Sequence, residues 1–254
     1  MQTDLTFRLA KPLIVESVVD IDCDMPPGYD VIKLENVARE QLRDKYPKIR
    51  KVLLQEHKLE AKPDAPPTME VRRAVQALQF TQDDEKQIVQ VRAQGYSFNR
   101  LAPYTTLDDY LPEIERTWKL FVAVARPLEV RAVRLRYINR ISLPYEAHKL
   151  ELDQYLKLGP RLPDEQKLMF TGFLHQHVAV EIETGNQATI VLATEAPENK
   201  ELPIIFDITA SHLARAEAED WAWILARIQS LRGLKNRIFR NTLTERCLNL
   251  FRQP

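Results

Sequence analysis

Glycine is scarce in this chain, six in 254 residues, and neither G-x-G-x-x-G nor a P-loop string occurs. Sites that lay bare backbone against phosphate need such glycines, so dinucleotide and P-loop nucleotide binding are excluded. Cysteine is scarcer still: Cys23 and Cys247 stand outside any C-x-x-C pair and away from histidine. Neither a disulfide framework nor a structural zinc site is expected, and two buried reduced thiols are. Net charge is absent, with 36 basic side chains against 36 acidic ones. No overall field draws the chain to nucleic acid or anionic lipid, and either partner would need a local patch. No apolar run approaches the ~18 residues of a membrane span, and the opening M-Q-T-D-L-T-F-R-L-A-K-P lacks the continuous apolar stretch of a leader. The expectation is a cytoplasmic protein that makes no use of a membrane.

Hydrophobic residues at 44% and charged residues at 28% give the composition of an ordinary globular protein, long enough for a substantial core. Period-two alternation predicts a strand over 14–25, where Val19, Ile21 and Cys23 alternate with Asp20, Asp22 and Asp24. A helix over 31–46 and a strand over 52–61 follow, then a loop at Pro63, Pro66 and Pro67. Strands are expected over 73–81, 87–93 and 96–101. Leu107, Tyr110, Leu111, Ile114, Trp118, Phe121, Val122 and Ala125 fall on one helical stripe, although Pro112 leaves open whether the helix begins at Leu107 or nearer Tyr110. After a connector over 144–167 carrying a short helix at 150–158, strands are expected over 173–184, 187–195 and 202–211. A helix over 216–235 and a shorter one over 244–251 end the chain, with Gly233 as a possible break. The result is an α+β protein: mainly antiparallel sheet covered by two long helices, one compact body over 1–254. The element order also admits two similar β-α-β-β-β-α halves, 14–126 and 129–240.

The strand V-R-A-V-R-L-R-Y-I-N-R-I-S-L-P over 130–144 carries the most information. It sets Arg134, Arg136 and Arg140 on one face and Val133, Leu135, Tyr137 and Ile141 on the other. Arginines on a strand inside a folded body must meet anions, either the chain's own carboxylates or a ligand's. Asp20, Asp22 and Asp24 could serve those arginines, or hold a hard divalent cation for phosphoryl chemistry. Adding Glu181 and Glu183 gives D-x-D-x-D, R-x-R and E-x-E strands, loosely similar to the charged interior of triphosphate-tunnel phosphohydrolases, where bidentate arginines grip phosphate. A third constellation is the basic C-terminal run with Lys235, Arg237 and Arg240, a candidate contact for nucleic-acid backbone or a solvated helix face. His175 and His177 share a strand face with no third residue at metal spacing, and His57, His148 and His212 are isolated, so no metal site is expected.

Three separated strings, Y-S-F-N-R-L-A-P-Y, R-L-R-Y-I-N-R-I and L-x-x-L-K-N-R-I-F-x-x-x-L-T, occur in this order. Together they resemble a sporadically distributed, largely uncharacterised family of prokaryotic proteins of about this length. The resemblance carries over no functional residues, since none are established for the family; its patchy occurrence implies a mobile locus of the defence or toxin–antitoxin kind. The resulting expectation is a non-catalytic binding protein with no cofactor and a protein partner encoded by an adjacent gene. Two alternatives stand beside it. One is a polyphosphate or nucleotide phosphohydrolase using Mg²⁺ or Mn²⁺; the other is nucleic-acid binding through the terminal helices.

Overall fold

A computed structural model describes residues 13–62, 65–145, 151–164, 167–168 and 171–252, with the side chains of 56–62, 65–70 and 72 outside the description. The strands are β1 (Ile14–Asp24), β2 (Lys48–Lys62), β3 (Ala65–Thr81), β4 (Gln87–Arg92), β5 (Gly95–Leu101), β6 (Glu129–Pro144), β7 (Leu174–Val180), β8 (Gln187–Thr194) and β9 (Glu201–Ala216). The helices are α1 (Glu35–Leu42), α2 (Leu107–Ala125), α3 (Trp221–Thr242) and α4 (Glu245–Arg252). All nine strands form one antiparallel sheet in the order β2-β3-β4-β5-β1-β6-β9-β8-β7. The protein is therefore α+β, and none of its described helices is long and apolar enough to cross a membrane.

Strand parity decides which face the helices cover. Val19 pairs with Leu135 and Phe98, and Leu135 with Ala210, so one row of apolar side chains runs through β5, β1, β6 and β9. On this face Val133, Leu135, Tyr137 and Ile141 are all buried, as the period-two pattern of β6 requires. Ile114, Trp118 and Phe121 of α2 and Ile224, Ile228 and Leu231 of α3 pack onto the same face, in one cluster. Trp118 stacks on Phe121, meets Tyr96 edge-on at 5.6 Å, and donates its ring N–H to the Ala218 carbonyl at 3.0 Å. A second cluster joins Ile141, Leu143 and Phe206 of the sheet to Phe239 of α3 and to Cys247, Leu248 and Phe251 of α4. Between the two clusters sits buried Asn139, whose amide nitrogen donates to the Phe206 carbonyl at 3.0 Å. Cys23 and Cys247 are both buried and free.

Several element boundaries differ from those expected, each for a local reason. Four strands separate α1 from α2, as the strand-by-strand reading has it and one more than a β-α-β-β-β-α half contains, and β2 and β3 form one long hairpin. Pro66 and Pro67 lie inside β3, in the stretch where the register with β2 shifts between Glu60 and Lys62. The first helix is shorter than 31–46: Val31–Leu34 is 3-10 and α1 ends at Leu42. Its successor α2 begins at Leu107 despite Pro112, helped by the Asp109 carboxylate accepting from the Thr106 N–H at 3.2 Å. Gly233 lies within α3 without breaking it, and the helix ends where Leu243 turns extended and buries itself against Leu156. In the 150–158 segment the described residues form a 3-10 turn, Leu152–Gln154, and residues 146–150, with His148, lie outside the described part.

Gly95 opens β5 at φ +139, where β5 crosses closely over β1; a Cβ there would run into the Ile21 carbonyl oxygen. Glu113 of α2 ties the helix layer together. It accepts from the Tyr46 hydroxyl at 2.8 Å, from Lys45 at 2.8 Å and from Arg116 at 2.7 Å. Burial works to raise the Glu113 carboxyl, but the hydrogen bonds from Arg116, Lys45 and Tyr46 outweigh it and bring it down to about 2. A carboxylate lowered on folding stabilises above its unfolded value and loses that contribution as pH falls through its folded one. Stability should therefore drop between about pH 4.5 and 2. In Glu113→Gln, urea unfolding should show stability lower by on the order of 2 kcal/mol at pH 7 and a shallower acid slope.

Candidate functional site

The described helices occupy one face, and charged side chains of β1, β4 and β6 collect on the opposite face of the sheet. The Asp22 side chain is only 8% exposed and lies between two guanidinium groups: Arg92 of β4 at 2.7 Å and Arg134 of β6 at 2.5 Å, one to each carboxylate oxygen. The gly-gated entry of β5 lets this happen, since Gly95 is the residue paired with Asp22 on β1 and has no side chain to block Arg92. Arg92 also donates to the Tyr96 carbonyl at 3.1 Å and lies 3.8 Å from Asp20. The Ser97 hydroxyl donates to Asp20, Asn99 donates to Glu16 at 2.7 Å, and Gln90 donates to Asn99 at 3.1 Å.

The row continues on the other side of β1. Arg136 grips Asp207 of β9 with two nitrogens, at 3.0 and 2.5 Å, and this hydrogen bonding raises its already high pKa. Arg140 reaches Glu195 at 2.7 Å and Glu198 at 3.4 Å, with the same effect from Glu195. A register shift at Asp22/Cys23 separates Asp24 from Asp20 and Asp22, and Asp24 lies 3.6 Å from Arg131 and 3.9 Å from Arg215.

Glu181 and Glu183 do not join this face. β7 stops at Val180, and the Gly185 N–H donating to the Glu181 carbonyl at 2.8 Å closes a turn that contains both acids. Glu181 instead receives Arg237 of α3 and the Asn186 amide. The C-terminal cations are similarly engaged: Arg232 holds Asp108 at 2.7 Å, Arg252 holds Glu245 at 2.7 Å, and Arg240 is half-buried on α3. Lys235 turns inward, its ammonium 4.1 Å from the centre of the Tyr137 ring, whose hydroxyl is 3.0 Å from that of Tyr104. Burial, reinforced by the charge of Arg232, pushes Lys235 down to about 7. Among the described residues, no group of three or more His, Cys, Asp or Glu side chains is placed to hold a metal ion.

Arg92, Asp207, Ser97 and Asn99 are among the members of this face that sequence reasoning did not single out. Arg92 ends the short strand β4 and Asp207 interrupts an apolar run of β9, a weak signal that becomes meaningful only once the strand order is known. No protein-family model matches this chain, and no curated protein matches it. What the face can do chemically rests on its geometry: Arg92, Arg134, Arg136 and Arg140 each already hold a carboxylate of the chain.

Two outcomes follow. Asp22→Ala leaves two guanidinium groups without their shared anion and should cost about 3 kcal/mol in urea unfolding, the low end for a buried pair because both arginines keep some water. Asp22→Asn, which keeps the shape, should fall between it and the parent. For Lys235, a folded-state pKa near 7 against 10.5 unfolded means the charged form opposes folding, fully below pH 7 and progressively less as pH rises toward 10.5. Lys235→Met should therefore raise the melting temperature at pH 6 by more than at pH 9.5.

Proposed function

We propose that the protein is a non-catalytic binding protein that engages a protein partner through the β2–β3 arm, with the rest of the sheet as a rigid, internally neutralised base. One observation carries this reading. β3 pairs with β4 only over 77–81, so most of the β2–β3 hairpin continues as a two-stranded ribbon without a third strand among the described residues. An isolated two-stranded ribbon is marginal in water, yet this one keeps Leu53 at 63% and Val71 at 45% exposure. Apolar side chains on such a ribbon fit the apolar patch of a partner that supplies the missing cover. The family resemblance adds the expectation that this partner is encoded beside the protein in a mobile or defence locus.

The alternatives fit the geometry less well. A divalent cation at Asp22 would have to displace both Arg92 and Arg134, and the E-x-E pair that should complete a phosphate tunnel lies in the β7–β8 turn, with Glu181 held by Arg237. Backbone binding by the terminal helices would have to compete with Asp108 and Glu181 for Arg232 and Arg237. The two-half reading is supported by strand order. From β1 outward run β5, β4 and β3, and from β6 outward run β9, β8 and β7, with β2 as an additional edge.

The test is co-purification with the product of an adjacent gene. Leu53→Glu and Val71→Glu should each release the partner while leaving the melting temperature within a degree or two, since both positions are exposed. A partner retained by both variants, or turnover of a nucleotide or polyphosphate panel with Mn²⁺, would overturn the proposal.

A further inference from the structure

The opposite edge of the sheet carries a separate feature. β7, L-H-Q-H-V-A-V, pairs only with β8 among the described residues, and its register is unbroken from Leu174↔Ala193 to Val180↔Gln187. Natural edge strands are guarded against further pairing by lysine, proline, bulges or short length. This one has no charged residue, no proline and no bulge, and it exposes Leu174 at 73%, Val178 at 70% and Val180 at 58%.

The direction of its backbone groups fixes what can be added. The Glu181 N–H donates to the Asn186 carbonyl at 2.7 Å, and the Phe173 carbonyl accepts from the Thr194 N–H at 3.1 Å. Odd-numbered residues therefore point their N–H and C=O toward β8, and Leu174, Gln176, Val178 and Val180 point theirs outward. The midpoint of the strand is His177. Antiparallel pairing of two copies about that residue sets Leu174 opposite Val180 and Gln176 opposite Val178. Every outward-pointing group then has a partner, and on the side of the sheet away from the described helices Leu174 meets Val180 while Gln176 lies against Val178. His177 faces its own copy as a non-hydrogen-bonded pair, the position where cross-strand side chains approach most closely.

His175 and His177 occupy the other side of β7, with ring centres 4.3 Å apart and their Nε2 atoms in direct contact. Two imidazole nitrogens converging on one point form half of a tetrahedral metal shell, and the chain itself offers no third ligand among its described residues. The two-fold axis supplies the missing half. A seven-residue edge is also small beside the ~1,600 Å² that a stable interface commonly buries, so strand pairing alone is expected to be weak. The occupant that answers both shortfalls at once is a second copy together with a metal ion.

We propose that two copies of this chain pair antiparallel through β7 about His177, and that His175 and His177 of both copies hold one zinc-type transition-metal ion between them. Because the ion has ligands from both copies, binding and association are a single linked equilibrium. The site is independent of the β2–β3 arm, which lies at the other edge of the sheet.

The experiment uses the full chain without an affinity tag, studied by sedimentation velocity and native mass spectrometry in EDTA and in micromolar Zn²⁺. The expected result is a monomer in EDTA and, with Zn²⁺, a dimer carrying one ion per two chains, its dissociation constant tightened by about 100-fold or more. His177→Ala should remove the zinc response, His212→Ala should keep it, and Val178→Lys should block the dimer by charging the edge while circular dichroism stays unchanged. A chain that stays monomeric at every Zn²⁺ concentration would overturn the proposal. So would a monomer that binds zinc by itself, or a dimer indifferent to EDTA and to His177→Ala.

Discussion

Asp22 stands at the centre of the sheet with an arginine on either side, and the rest of the molecule is arranged around that three-membered contact. Its carboxylate ties β4 to β6 across the intervening β5 and β1, from the face that none of the described helices covers. On the helix side, burial of apolar surface holds the strands together without caring greatly about register. On the uncovered side, charge does the specifying: Arg92, Arg134, Arg136 and Arg140 each have a carboxylate at a defined cross-strand position. A slip of one residue would send these charges into the apolar layer and the apolar residues into water. Individually such pairs are weak when exposed. Collectively they make one register of a nine-stranded sheet the consistent one.

Much of this was readable in the sequence where the pattern is strict. The β6 alternation places Val133, Leu135, Tyr137 and Ile141 inside and Arg134, Arg136 and Arg140 on the other face, because side-chain period in a strand is fixed by the backbone. The α2 stripe was equally plain. The pairing of particular acids with particular arginines was not readable, since it depends on which strands become neighbours. Asp22 meets Arg134, as one of the sequence alternatives had it, but also Arg92, while Arg136 takes Asp207. Boundaries set by hydrogen bonds rather than by hydrophobicity were also hidden. The turn closed by Gly185 onto the Glu181 carbonyl removes Glu181 and Glu183 from the strand that their alternation suggested. Likewise the helix propensity lost at Gly233 is outweighed by burial of Leu231 and Leu234 on either side.

The helix layer has its own division of labour. Trp118 of α2 donates to Ala218 just before α3, so the two long helices are joined through a buried hydrogen bond and a shared apolar cluster. Glu113 gathers Lys45, Tyr46 and Arg116 at the other side of α2. Asn139 interrupts the apolar row of β6 where one cluster gives way to the other, and satisfies itself on the Phe206 backbone. A buried amide at this position costs little because its partner is an adjacent strand already in place.

The strand order has a consequence for how the chain comes to be folded. β1 and β3 to β5, with α1 and α2, are all made before residue 126, and can assemble as the polypeptide emerges. At that stage one margin of β1 is bare: Asp22 has Arg92 but not Arg134, and Asp24 lacks Arg131, until β6 is synthesised. β6 in turn waits for β9, some sixty residues later, while the connecting segment travels out to β7 and back. Long-range antiparallel closure of this kind is slow. During that interval the nascent β6 margin is the place where a chaperone or a neighbouring chain would meet the protein first.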